Sequence, residues 1–277
     1  MDHPSIASPD DGLYGPGSQA WRLSREAVLL LVAGPRSLLL QLAHPLVAEG
    51  VDQHSTFRID PWGRLQATVR SYLTVVYGTA DEARAEIRRL NGLHRSIEGP
   101  VRDPVARGRH GSTYRARDPE LSLWVHATLV DSTLVGHEAV VGPVGRADRA
   151  RYYGETIPIG RALGIPDRLL PPDLDRFEAY VERMLAPGGP IEVTPTAREL
   201  ARTVLHPPLE PLARRGPLAE RLGWLAPLAG PLFRAVPPPA YDWTLWPAIA
   251  LLPERVRAGF GIRWTGLERA TAAWLTA

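Results

Sequence analysis

The chain has 277 residues with 32 basic and 30 acidic side chains, a formal net charge of +2. It contains no cysteine and no lysine, so all 32 basic residues are arginine. Disulfides, thiolate metal ligands, a cysteine nucleophile, a Schiff-base lysine and a P-loop lysine are therefore excluded. The charges are dispersed, with no basic block of the kind nucleic-acid binding needs.

A chain of this length suits one large domain and can bury a core without covalent staples. Residues 1–17 carry acids, prolines and glycines without an apolar core, so they are expected to form a disordered tail rather than a signal peptide. One domain is expected over 18–277. The most apolar stretch, 27–48, is broken by Gly34-Pro35-Arg36 and His44-Pro45. Neither half reaches the roughly 20 residues that span a bilayer. No transmembrane segment is expected, and with cysteine absent the expectation is a soluble, cytoplasmic protein.

Ser18 or Ser24 is positioned to cap a first helix that ends at Gly34. Pro35 then opens a second, through Leu38-Leu39-Leu40-Gln41-Leu42, reaching His44-Pro45 and stopping near Gly50. Asp60-Pro61 starts a third, Trp62 to Tyr77, closed by Gly78. Asp81 caps a charged amphipathic helix, 82–97, with Ala83, Ile87, Leu90, His94 and Ile97 on its inward stripe. A polar loop, 99–117, comes next. Further helices are expected over 149–163, over 174–185 behind Asp173, and at 253–260 and 266–275. Strand-like alternation is confined to Glu192-Val193-Thr194. The pattern predicts an all-α, single-domain helical bundle.

The helix expected over 119–135 organises the rest. Asp118 suits its N-cap, Pro119 its first position and Glu120 its first turn. The run after Glu120 is almost wholly apolar, which predicts burial on all sides. On helical spacing His126 shares a face with Leu123, Leu129, Val130 and Thr133. An imidazole there must hydrogen-bond a neighbour or bind a ligand.

Of the other histidines, His3 falls in the tail, His110 in a polar loop, and His206 before Pro207-Pro208. His126 and His137 share a face if the helix survives Gly136, but 11 residues place them about 16 Å apart, too far for one ion. His44 and His54 flank Gly50 with Asp52 between them, a weak pattern for a metal site. HExxH, GxSxG and a GxGxxG after a strand are absent.

Several segments together resemble an oxygenase family of bacteria and fungi. They are Gly34-Pro35-Arg36-Ser37-Leu38 through His44-Pro45, Val51-Asp52-Gln53-His54-Ser55, and Arg89-Leu90-Asn91-Gly92-Leu93-His94. Others are Tyr114-Arg115-Ala116-Arg117-Asp118-Pro119, Leu123-Trp124-Val125-His126-Ala127-Thr128-Leu129, Tyr152-Tyr153-Gly154-Glu155, Leu163-Gly164-Ile165-Pro166 and Leu251 through Arg257. The family is that of rubber oxygenase (latex-clearing protein) and the MpaB-type oxygenase of mycophenolic acid synthesis. The resemblance implies a globin-like helical core holding haem b, with the proximal histidine at His126. In rubber oxygenase the opposite haem face carries an arginine, a lysine and a threonine. The matching helix here, 82–97, has no lysine, and His94 is the nearest sixth ligand or distal donor. Arg36, Arg58 and Arg64 are the candidate propionate partners. His44 and His54 recur in the family motif, either lining the pocket or bracing the second helix.

The function expected is a haem-dependent oxidoreductase or oxygenase. Its substrate would be an apolar small or medium organic molecule, its oxidant O₂ or peroxide, and a redox partner is admitted. The alternatives are a non-catalytic haem or hydrophobic-ligand binding protein with bis-histidine haem, and a non-haem metal enzyme using His44, His54 and Asp52.

Overall fold

The computed structural model describes residues 12–25, 28–205 and 247–262. His3, His206, residues 1–11 of the expected tail and the helix expected at 266–275 lie outside them. The helices are α1 (Gln19–Ser24), α2 (Val28–Leu42), α3 (Pro45–His54), α4 (Pro61–Tyr77), α5 (Ala80–His94) and α6 (Pro104–His110). After them come α7 (Pro119–Val140), α8 (Arg146–Ala162), α9 (Leu174–Leu185), α10 (Pro195–Leu205) and α11 (Glu254–Gly259). The fold is all-α. The described strands are β1 (Glu98–Pro100) and β2 (Thr113–Arg115), antiparallel, with Gly99 opposite Tyr114.

Helix α7 lies at the centre and packs mainly on α2. Asp118 caps it by accepting from the Glu120 amide, and Pro119 opens it. Burial occurs around most of its circumference, from Leu121 through Trp124 and Val130 to Leu134 and His137. The Trp124 indole N–H donates to the Leu40 carbonyl at 3.2 Å, and Gln41 donates to the Thr128 hydroxyl at 3.0 Å. Gly136 does not end the helix. A β-carbon there would stand 3.2 Å from the Ala33 methyl, so glycine lets α2 and α7 approach.

The first two expected helix boundaries are corrected. Helix α2 runs through Gly34-Pro35, with Pro35 inside it. The proline removes one helical amide and interrupts one bond. Packing along α7 is the compensation that sequence periodicity does not contain. Helix α3 likewise continues past Gly50, where the Tyr114 ring would lie 3.4 Å from a β-carbon.

Helix α5 starts earlier than expected. Its N-cap is Thr79, in a capping box with Glu82, so Asp81 falls in the first turn. It ends at His94 because the chain turns into β1. The polar loop of 99–117 contains β1, β2 and α6. The buried Glu49 carboxylate accepts from the Arg102 and Asp103 amides at 3.0 and 2.9 Å, tying that excursion to α3. Glu192–Thr194 is not a strand; the Thr194 hydroxyl instead accepts from Ala197 at the start of α10.

Glu155, in the Tyr152-Tyr153-Gly154-Glu155 motif of α8, accepts from the Gln19 and Ala20 amides at 3.1 and 2.9 Å. A carboxylate at a helix N-terminus complements the dipole and its unpaired amides. This fixes α1 on α8. The Tyr153 ring stacks on Phe177 at 4.6 Å and its hydroxyl donates to the Pro171 carbonyl, joining α8 to α9.

Candidate functional site

His126 stands about two turns into α7 and is 5% exposed. Its Nε2 is fully buried and has no hydrogen-bond partner. Burial alone pushes its pKa down to about 4, so the ring is neutral at pH 7. The neighbours on its face are Leu123, Val130 and Thr133, all buried, and Leu129, half-buried. The Thr133 hydroxyl donates to the Leu129 carbonyl at 2.9 Å, within reach of the Tyr152 hydroxyl.

The wall facing Nε2 is Gly160, on α8. A β-carbon at Gly160 would stand 3.3 Å from His126 Nε2 and 2.8 Å from Leu170 Cδ2. Behind that wall, between α5 and α8, lies a cavity of about 310 Å³ lined by Arg84, Ile87, Asn91, Glu155 and Ile159. A second cleft, about 410 Å³, lies at Arg109, Ile191, Arg198 and Arg255. Neither is lined by His126.

The other candidate histidines belong to α5 and α3. His94 ends α5, half-buried, with its pKa lowered by burial and by the Arg64 and Arg89 guanidiniums. His94 and His126 make no hydrogen bond or ring contact with each other, so a bis-histidine pair is not preformed. His44 and His54 sit at the two ends of α3, about 15 Å apart by helical rise. One ion cannot take both. His44 Nδ1 accepts from the Leu46 amide, which leaves the proton on Nε2. His54 Nε2 meets the Glu98 carbonyl at 3.0 Å, and Asp52 is paired with Arg58. No cluster of three or more His, Asp or Glu side chains suited to a metal occurs among the described residues.

The three arginines differ sharply. Arg36 is 4% exposed and committed to the core, donating to Asp131, Ser132 and the Leu251 carbonyl. Arg58 is exposed and bridges Asp52 and Glu199. Arg64 donates to Thr68 and has no carboxylate partner among the described residues, with the Arg89 guanidinium nearby.

Three residues were not foreseen. His110, from the polar loop, is half-buried, its ring 5.4 Å from that of His44 and its Nε2 buried without a partner. Burial, with the His110 ring beside it, pushes the His44 pKa down to about 3. Gly160 and Leu170 are the others. Gly160 reads in the sequence only as an isolated glycine in a helical run, and nothing beside it points to His126.

The family model described as ER-bound oxygenase mpaB/B'/Rubber oxygenase, catalytic domain, matches residues 21–277. The chain belongs to that family. Two mycobacterial proteins are similar to it, Mb2261 of Mycobacterium bovis and Rv2237 of Mycobacterium tuberculosis, both described as uncharacterized. Each is 30% identical over 202 residues, covering 69% of this chain and 74% of the relative. No solved structure matches. Membership of the mpaB/rubber oxygenase family supports an oxygenase-type function. No helix among the described residues is long and apolar enough to cross a membrane.

His126 offers a neutral, buried, unpartnered nitrogen, packed against Gly160 and reached by neither cavity.

Proposed function

We propose that this chain is a haem b-dependent oxidoreductase of the oxygenase type, whose iron His126 would hold. Its substrate is an apolar small or medium organic molecule and its oxidant O₂ or peroxide, with a redox partner where electrons are needed. The carrying observation is the buried, unpartnered Nε2 of His126. A polar nitrogen left unpaired in the core costs about 1–3 kcal/mol, and ligation would offset that cost.

When bound, haem supplies the redox iron that activates oxygen. The chain supplies the surroundings. His126 keeps its lone pair at pH 7 because burial suppresses protonation. Gly160, packed against that nitrogen, keeps water from it. Arg64 is the propionate partner of choice among the three arginines, because its charge is not consumed by a carboxylate. His94, kept neutral at pH 7 by burial and the neighbouring guanidiniums, is the proton carrier of this reading.

The test is a visible spectrum of the purified protein, as isolated and after haemin addition, for wild type and His126→Ala. A Soret band present in wild type and lost in the variant supports the proposal. No band in wild type under either condition overturns it.

A further inference from the structure

The 410 Å³ cleft is lined by three arginines from three helices, Arg109 of α6, Arg198 of α10 and Arg255 of α11. Its apolar lining includes Ile191, Val193 and Val256, all buried. Each guanidinium is steadied by backbone carbonyls. Arg109 donates to Gly188 and Gly189 at 3.0 and 3.2 Å, Arg198 through Nε to Gly259 at 2.6 Å, and Arg255 through Nη1 to Ala186. A carbonyl orients a cation without cancelling its charge. The one carboxylate lining the cleft, Glu192, is taken by Arg109 at 2.5 Å. Arg198 and Arg255 have no carboxylate partner among the described residues. Three guanidiniums against one carboxylate leave a formal charge of +2 in one concavity.

We infer that this cleft binds a small organic anion, a carboxylate or phosphate monoester with a short apolar body. Like charges gathered in a concave site focus a field that an anion relieves. The planar fork of arginine matches both head groups, and the bonds already made to carbonyls leave further N–H donors on Arg198 and Arg255. The apolar body lies along Ile191, Val193 and Val256. The volume falls within the roughly 300–1,000 Å³ usual for small-molecule sites. Glu192 limits the affinity, because its charge opposes the ligand's. Neither His126 nor haem enters this inference, so it stands or falls apart from the function proposed above.

The experiment is calorimetric titration of the full chain with hexyl phosphate, hexanoate, inorganic phosphate and 1-hexanol. Saturable binding is expected for at least one of the two organic anions, and the tighter of them identifies the head group. Inorganic phosphate should bind at least threefold more weakly, and 1-hexanol not at all. Arg198→Gln and Arg255→Gln should each weaken the tighter probe at least fivefold. Arg168→Gln removes an exposed guanidinium that does not line the cleft and should stay within twofold of wild type. Glu192→Gln should tighten binding at least twofold, since it removes the opposing charge. If either cleft arginine variant fails to fold, judged by far-ultraviolet circular dichroism, Glu192→Gln decides, and unchanged or weaker binding there overturns the site. So does failure of both organic anions to bind, or an equal loss in Arg168→Gln. Inorganic phosphate binding as tightly as hexyl phosphate, or 1-hexanol binding as tightly as the anions, also overturns it.

Discussion

The Arg36 guanidinium and the Asp131 carboxylate meet at 2.7 Å across the crossing of α2 and α7, with side chains 5% and 20% exposed. Arg36 also donates to Ser132 and to the Leu251 carbonyl, so three elements converge on one charged group. Removing one partner of a buried pair leaves the other charge without compensation, at about 3–5 kcal/mol. Arg36→Ala should lower the unfolding free energy by that order in urea denaturation. Arg36→Met with Asp131→Leu should recover most of the loss, because neither buried charge remains. A loss below about 1 kcal/mol in the single variant would show that this pair does not hold the crossing.

Stability should fall with acid in a window set by His126. Its folded pKa, about 4, lies below the ordinary value of 6.5. As pH drops from 6.5 to 4 the unfolded chain takes up a proton that the native chain refuses. The native state therefore loses stability through that window and levels off below it. The full effect is on the order of 3 kcal/mol. His44, at about 3, adds a contribution of the same sign that extends lower. Unfolding free energy from urea titrations at about pH 4.5, 5.5 and 6.5 should fall less steeply with acid for His126→Leu than for wild type. Equal slopes would mean that the imidazole is protonated in the fold.

Glu155 holds the start of α1 through two amides. Glu155→Ala should cost about 1–2 kcal/mol, the usual range for a lost cap. Hydrogen exchange gives the sharper readout: the Gln19 and Ala20 amides should lose at least tenfold protection while α9 keeps its own. Unchanged exchange at those two amides would show that α1 is held by other contacts.

Arg64 and Arg58 separate a cofactor role from a surface one. Under the haem assignment, Arg64→Ala should weaken haemin binding several-fold and leave unfolding free energy within about 0.5 kcal/mol. Arg58→Ala removes a bridge between Asp52 and Glu199 and should leave haemin binding unchanged. The reverse pattern would move the propionate contact to Arg58.

Much of the helical frame was legible because its signals are local. Asp60, Asp118 and Asp173 cap α4, α7 and α9 as their positions before apolar runs predict. The all-round apolar character of α7 announced its burial. The features that escaped reading depend on distant partners. Each strand is three residues long, too short for alternation, and their pairing joins 98 to 115. Helix α2 ignores the Gly34-Pro35 punctuation because α7 packs along it. At the site, His126 was legible as a buried imidazole, but its lack of a partner was not. Gly160 carries no mark of its role in sequence, since only three-dimensional approach gives a missing methyl its meaning.

The β1–β2 ribbon makes the excursion through α6 a closed loop, clamped at its neck by the strand pairing and anchored by Glu49. Arg102, Arg107 and Arg109 are exposed along it, within the span the neck encloses. A tryptic nick at any of them would cut the chain without separating it. The two pieces would stay joined through the ribbon and migrate as one particle until denatured.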